Sequence, residues 1–157
     1  MAITKVTGAM LGNYTGGSAD DTVVVGDGAG DAITTGTDNT FLGDNAGSAA
    51  TTGSNNVAVG SAALLLNTTG TENTVVGAFA GDAITTGGQN VAMGNNALGL
   101  LTTGSNNTAV GREAGKSIST ASGNTLMGRT AGMLITTGTE NNIVGAEIGR
   151  ASCRERV

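Results

Sequence analysis

The chain has no proline, no histidine and no tryptophan, with one tyrosine, two phenylalanines and a single cysteine in 157 residues. Without histidine, with few carboxylates and with Cys153 alone, the usual nucleophile–base pairs cannot be assembled, so no enzyme and no cofactor are expected. Aromatic side chains normally supply much of a core's buried area. Here Ala, Val, Leu and Ile must supply it, which suits a thin core between closely spaced strands. Positive charge is also scarce. Ahead of residue 147 the basic residues are Lys5, Arg112, Lys116 and Arg129, too scattered to neutralise a phosphate backbone, so no nucleic-acid partner is expected. The longest apolar runs, such as residues 62–66, are too short for membrane insertion. The opening Met1-Ala2-Ile3-Thr4-Lys5-Val6 has a lysine with no apolar core behind it, so no secretory signal is expected there.

Glycine is abundant, with 28 residues. Unpatterned glycine is one signature of disorder, but here it is strictly placed. Gly26, Gly43, Gly60, Gly77, Gly94, Gly111, Gly128 and Gly145 recur every 17 residues without insertion or deletion. An alanine follows three residues after each of the first seven. A threonine follows at nine (Thr35, Thr52, Thr69, Thr86, Thr103, Thr120, Thr137). An asparagine follows at thirteen (Asn39, Asn56, Asn73, Asn90, Asn107, Asn124, Asn141). Glycine follows at ten except for Ala121. A fixed period of this kind marks a repeat architecture.

Within one unit, Asn56-Val57-Ala58-Val59-Gly60 is short, β-branched and bounded by glycine, which predicts a strand. Gly70-Thr71-Glu72-Asn73 predicts a turn. A second short strand or a tight helical turn is expected over residues 63–66. No unit can bury its apolar side alone, so the units are expected to stack at about 4.8 Å into a parallel β-solenoid, seven of them rising roughly 34 Å. The residue before each anchor glycine (Val25, Leu42, Val59, Val76, Met93, Val110, Met127, Val144) is expected inside the coil. Its apolar neighbour (Val24, Phe41, Ala58, Val75, Ala92, Ala109, Leu126, Ile143) then points outward. A strand that is apolar on both faces leaves a monomer with a long exposed stripe. Burial against other copies removes it, so a homotrimer is expected. The asparagine and threonine columns are expected to hydrogen-bond coil to coil as structural ladders.

Asn55-Asn56-Val57-Ala58-Val59-Gly60 and Asn106-Asn107-Thr108-Ala109-Val110-Gly111 resemble the repeats of trimeric autotransporter adhesin heads. The whole unit over residues 56–72, with its Asn67-Thr68-Thr69-Gly70, is similar to repeats of phage tail fibres. The resemblance covers residues 21–146, and the unit is longer than the usual adhesin repeat. It implies a left-handed parallel β-roll, three chains to a shaft, on a virion tail fibre or a cell surface. It also implies a cell-surface receptor or glycan as partner.

The organisation read from the sequence is a lead-in or cap over residues 1–20, a repeat domain over 21–146 and a tail over 147–157. The tail brings Arg150, Arg154 and Arg156 within seven residues and breaks the pattern. Its codons can be written to match a common sequencing adapter. A non-native tail on a truncated metagenomic reading frame is therefore expected, and Cys153 within it says nothing about redox compartment.

Two ligand patterns and one surface compete with a purely structural reading. Asp20, Asp21, Asp27, Asp31, Asp38 and Asp44 could offer oxygens to calcium, but their spacing matches no calcium loop and solvated turns are favoured, so no metal is expected. Gly26-Asp27-Gly28-Ala29-Gly30 has phosphate-loop-like glycines that belong to the repeat. The threonine columns raise a monomeric ice-binding or ligand-binding solenoid. Thr68 and Thr69 are adjacent, however, so a strand would turn only one of them outward. The expectation is an all-β solenoid serving as a structural or adhesive fibre segment.

Overall fold

The computed structural model describes residues 22–146. The lead-in 1–20, Asp20, Asp21 and the tail 147–157 lie outside the described residues. Eight short strands follow one another: β1 (Val23–Val25), β2 (Thr40–Leu42), β3 (Val57–Val59), β4 (Thr74–Val76), β5 (Val91–Met93), β6 (Thr108–Val110), β7 (Thr125–Met127) and β8 (Asn142–Val144). They form one parallel sheet in sequence order. The register advances by 17 residues at every step, pairing Val24 with Phe41, Phe41 with Ala58 and so on to Leu126 with Ile143. The chain is an all-β parallel solenoid. Coil 1 is taken to start at β1, coil 2 at β2, up to coil 7 at β7.

Strands β1 to β7 each stop at their anchor glycine for a steric reason. Gly77 has φ +135°, and a Cβ there would lie 2.7 Å from the carbonyl carbon and oxygen of Gly94 in the next coil. Only glycine lets successive coils approach this closely.

The interior is the reverse of the expected one. The first apolar residue of each pair points inward: Phe41 is fully buried, as are Ala58, Val75, Ala92, Ala109 and Leu126. The residue before the glycine points outward, with Leu42 45% exposed and Met127 45% exposed. The buried asparagine sets the phase: Asn39 faces in, so Phe41, two residues on, faces in as well and Leu42 faces out. The inward strand residue must share a narrow interior with the alanine column and with the next position, which is glycine or leucine. Coils 3 and 5 pair a small strand residue with a leucine, Ala58 with Leu64 and Ala92 with Leu98, all buried. A Cβ at Gly115 would meet Leu126 Cδ1 at 2.6 Å and Leu98 Cδ2 at 2.9 Å, so neighbouring coils fill the space that Ala109 and Gly115 leave open. Ile33, Ala50, Ile84, Leu101 and Ile118 complete the core.

Residues 63–66 form neither a strand nor a helix. Ala62 and Leu64 adopt left-handed backbone, φ 54° and 56°. Turns close within the coil, from Ala63 N–H to Gly60 O (3.2 Å) and from Asn67 N–H to Leu64 O (3.3 Å). Intervening amides donate to the next coil, Leu64 N–H to Ala80 O (3.0 Å) and Leu66 N–H to Asp82 O (3.0 Å). The alternation makes a second hydrogen-bonded wall without regular strand geometry.

Candidate interaction surface

The asparagine column is buried from Asn39 to Asn124, with Asn141 at its half-exposed end. Asn73 shows the pattern. Its Nδ2 donates to Asn56 Oδ1 (3.1 Å) and to Gly87 O (2.9 Å). Its Oδ1 accepts from the backbone N–H and the Nδ2 of Asn90, each at 3.1 Å. Asn56, Asn90 and Asn107 repeat these bonds. Thr22 Oγ1 starts the ladder by accepting from Asn39 N–H at 3.4 Å, and Asn141 closes it on Asn124 Oδ1 at 2.8 Å. A fully satisfied buried amide fixes one register between coils and offers nothing to a ligand.

The threonine bonds fall one column away from Thr35, Thr52, Thr69, Thr86, Thr103, Thr120 and Thr137. Those seven are exposed. The preceding residue carries the inter-coil bond: Thr51 Oγ1 donates to Thr68 O (2.9 Å), Thr68 to Thr85 O (3.1 Å) and Thr102 to Ser119 O (2.9 Å). Asn67 is a further buried polar group, in a column that is otherwise Ala, Ile or Leu. It caps its own turn, accepting from Gly70 N–H and donating to Gly70 O, each at 3.0 Å. No repeated pattern signalled it.

Among the described residues no three of His, Cys, Asp and Glu converge on a point. Asp82 stands out alone. Burial raises its carboxyl above the ordinary value of 3.8, with the amides of Asp82 and Ala83 acting in the opposite direction. Its Oδ1 is buried with no hydrogen-bond partner among the described residues. Glu113 pairs with Arg112 (3.2 Å) and Lys116 (3.6 Å) at the surface.

The surface with interaction chemistry is the outer face of the sheet. One outward column is Val23, Thr40, Val57, Thr74, Val91, Thr108, Thr125 and Asn142. The other is Val25, Leu42, Val59, Val76, Met93, Val110, Met127 and Val144. Neither column holds a charge. Leu42, Val76, Met93, Met127 and Val144 are exposed. Strand pairing places equivalent side chains about 4.8 Å apart, so the face is a continuous apolar and hydroxyl-bearing strip running the length of the solenoid. No protein-family model, curated protein or solved structure matches the chain.

Proposed function

We propose that the chain is a non-catalytic structural or adhesive segment of a homotrimeric fibre, of the kind found in phage tail fibres and bacterial surface adhesins, working on the virion or outside the cell. The observation that carries this reading is the uncharged outer sheet face, eight strands deep. An exposed apolar strip is a candidate interaction site, and further copies of the same chain match its length and repeat. Stacked coils tied by buried amides supply stiffness. Exposed turn residues such as Asn106 and Arg112 are offered at successive levels to a receptor or glycan, where multivalency strengthens weak contacts. Val76→Lys with Val110→Lys tests the face: monomers that keep their β circular dichroism support it, and an unchanged assembly removes it from the interface.

One observation favours a second reading, a monomeric ice- or ligand-binding solenoid. Thr40, Thr74, Thr108 and Thr125 stand in a single outward column on a parallel sheet. Thermal hysteresis from a monomer would select that reading.

A further inference from the structure

Past each anchor glycine the chain leaves the sheet and turns, and the first residue of that turn forms a column of its own. The column opens with Asp27 and Asp44 in coils 1 and 2, passes through Ser61, Ala78 and Asn95, and closes with Arg112 and Arg129 in coils 6 and 7. All are exposed except the half-exposed Ala78. The backbone fixes their stacking, because each carbonyl of the column accepts from an amide of the next coil. Asn45 N–H donates to Asp27 O (2.8 Å), Phe79 N–H to Ser61 O (3.0 Å) and Thr130 N–H to Arg112 O (2.8 Å). The column is a ridge with residues about 4.8 Å apart.

Charge is sorted along this ridge. Among the described residues the only cations are Arg112, Lys116 and Arg129, all on this turn in coils 6 and 7. The same turn in coils 1 and 2 carries Asp27, Asp31 and Asp44 and no cation. Glu113 is the one carboxylate at the basic end, held by Arg112 (3.2 Å) and Lys116 (3.6 Å). The turn before each strand shows no such sorting: Asp38, Glu72 and Glu140 spread its carboxylates from coil 1 to coil 7.

Reversal makes the ridge complementary to itself. Two copies side by side in the same direction set acid on acid and base on base. Turned end for end about coil 4, they set Asp27 against Arg129, Asp44 against Arg112 and Ser61 against Asn95. Ala78, the one apolar residue of the column, then meets its own copy. Beside it is Phe79, the one exposed aromatic among the described residues, at 46%. A patch that matches itself under a two-fold rotation makes an isologous contact, and facing opposite charges fix its register.

We infer that this ridge pairs two copies of the chain antiparallel, with Ala78 and Phe79 at the two-fold axis and the Asp27–Arg129 and Asp44–Arg112 pairs on either side. The inference goes beyond the trimeric reading and does not rest on it, because the ridge lies outside the two outward columns of the sheet. Six steps between coils make it about 29 Å long. At one residue wide it falls well short of the roughly 800 Å² per partner of a stable interface. One pair of ridges is therefore weak and screened by salt, and strength comes where many ridges align at once.

Disulfide trapping on the full chain, in a Cys153→Ser background, reads the contact. In low salt Ala78→Cys is expected to link to its own copy. Ser61→Cys and Asn95→Cys are expected to link to each other in an equimolar mixture, several-fold more than either links to itself. At about 1 M salt, where the Debye length is about 3 Å, both yields are expected to fall several-fold. Arg112→Asp with Arg129→Asp puts acid at both ends and is expected to abolish the Ala78→Cys link. Mixing that chain with one carrying Asp27→Arg and Asp44→Arg restores it. Circular dichroism melts check that the variants keep the fold. Ser61→Cys linking to itself as readily as to Asn95→Cys overturns the antiparallel register. An Ala78→Cys link that ignores salt and charge reversal overturns the ridge as the contact. Copies that run in one direction within a trimer keep Ser61 and Asn95 two coils apart, about 9.6 Å, so loss of the mixed link overturns this pairing and leaves the trimer standing.

Discussion

The Phe41 ring fills the space that a side chain at Gly47 would need: an ideal Cβ there lies 2.6 Å from both Cε2 and Cζ of the ring. Coil 3 inverts the arrangement, with Ala58 in place of the ring and Leu64 in place of the glycine, both fully buried. The two positions thus share one volume. Phe41→Ala alone is expected to lose about 3–5 kcal/mol, and Gly47→Leu alone to disrupt the coil. The double variant reproduces the coil 3 pair and is expected to recover most of the loss, short of the ~1–2 kcal/mol of left-handed backbone that leucine carries there. A double-mutant cycle from urea melts reads the coupling.

Asn73→Ala removes an amide with four hydrogen bonds. It leaves Gly87 O and the Nδ2 of Asn90 without those partners in a buried column. Each orphaned group is expected to cost about 1–3 kcal/mol. Asn141→Ala, at the half-exposed end, removes bonds only to Asn124 and Thr139 and is expected to cost less. Thermal melts of the two variants compare them directly.

Two anchor glycines separate backbone conformation from crowding. Gly77 and Gly145 have similar φ, +135° and +140°, but a Cβ at Gly145 meets nothing within 4 Å among the described residues. Gly145→Ala is expected to cost only the conformational strain, about 1–3 kcal/mol. Gly77→Ala adds a collision with the Gly94 carbonyl and is expected to open the sheet between β4 and β5. Amide exchange in β4 and β5 checks this.

Asp82 is expected to weaken the fold as pH rises. Its folded carboxyl is raised above 3.8 by burial, so the folded state holds the proton more tightly than the unfolded chain does. That stability is fully present below the unfolded value and is lost as pH rises through the folded one. Asp82→Asn is therefore expected to raise the melting temperature at neutral pH, with the gain disappearing on acidification below the unfolded carboxylate value. A gain that persists at low pH would contradict the assignment.

Much of the fold was legible because stacking at strand spacing imposes like on like. The glycine period, the strand over Val57–Val59 and the in-register parallel sheet all follow from it. The direction of the strand side chains was not legible from alternation, because both Phe41 and Leu42 are apolar and period two separates two sides without saying which is inside. A usable signal was present elsewhere: Phe41 goes with Gly47 and Ala58 with Leu64, a volume exchange that only a shared interior requires. The second wall escaped because its left-handed positions are occupied by Ala62, Phe79 and Glu113 as readily as by glycine. The asparagine column was visible as a repeat, and Gly53, Gly70 and Gly87 supply the carbonyls that complete its bonds. The threonine bonds lie in the neighbouring column because Thr51 and Thr68, rather than Thr52 and Thr69, face the carbonyl of the next coil.

The most direct test of the fibre reading is the mass of the purified chain in solution by light scattering. The expected result is a species near 45 kDa, three chains of 15.1 kDa. A single species at 15.1 kDa, stable across concentration, would contradict it and leave the outer sheet face as the binding surface of a monomer.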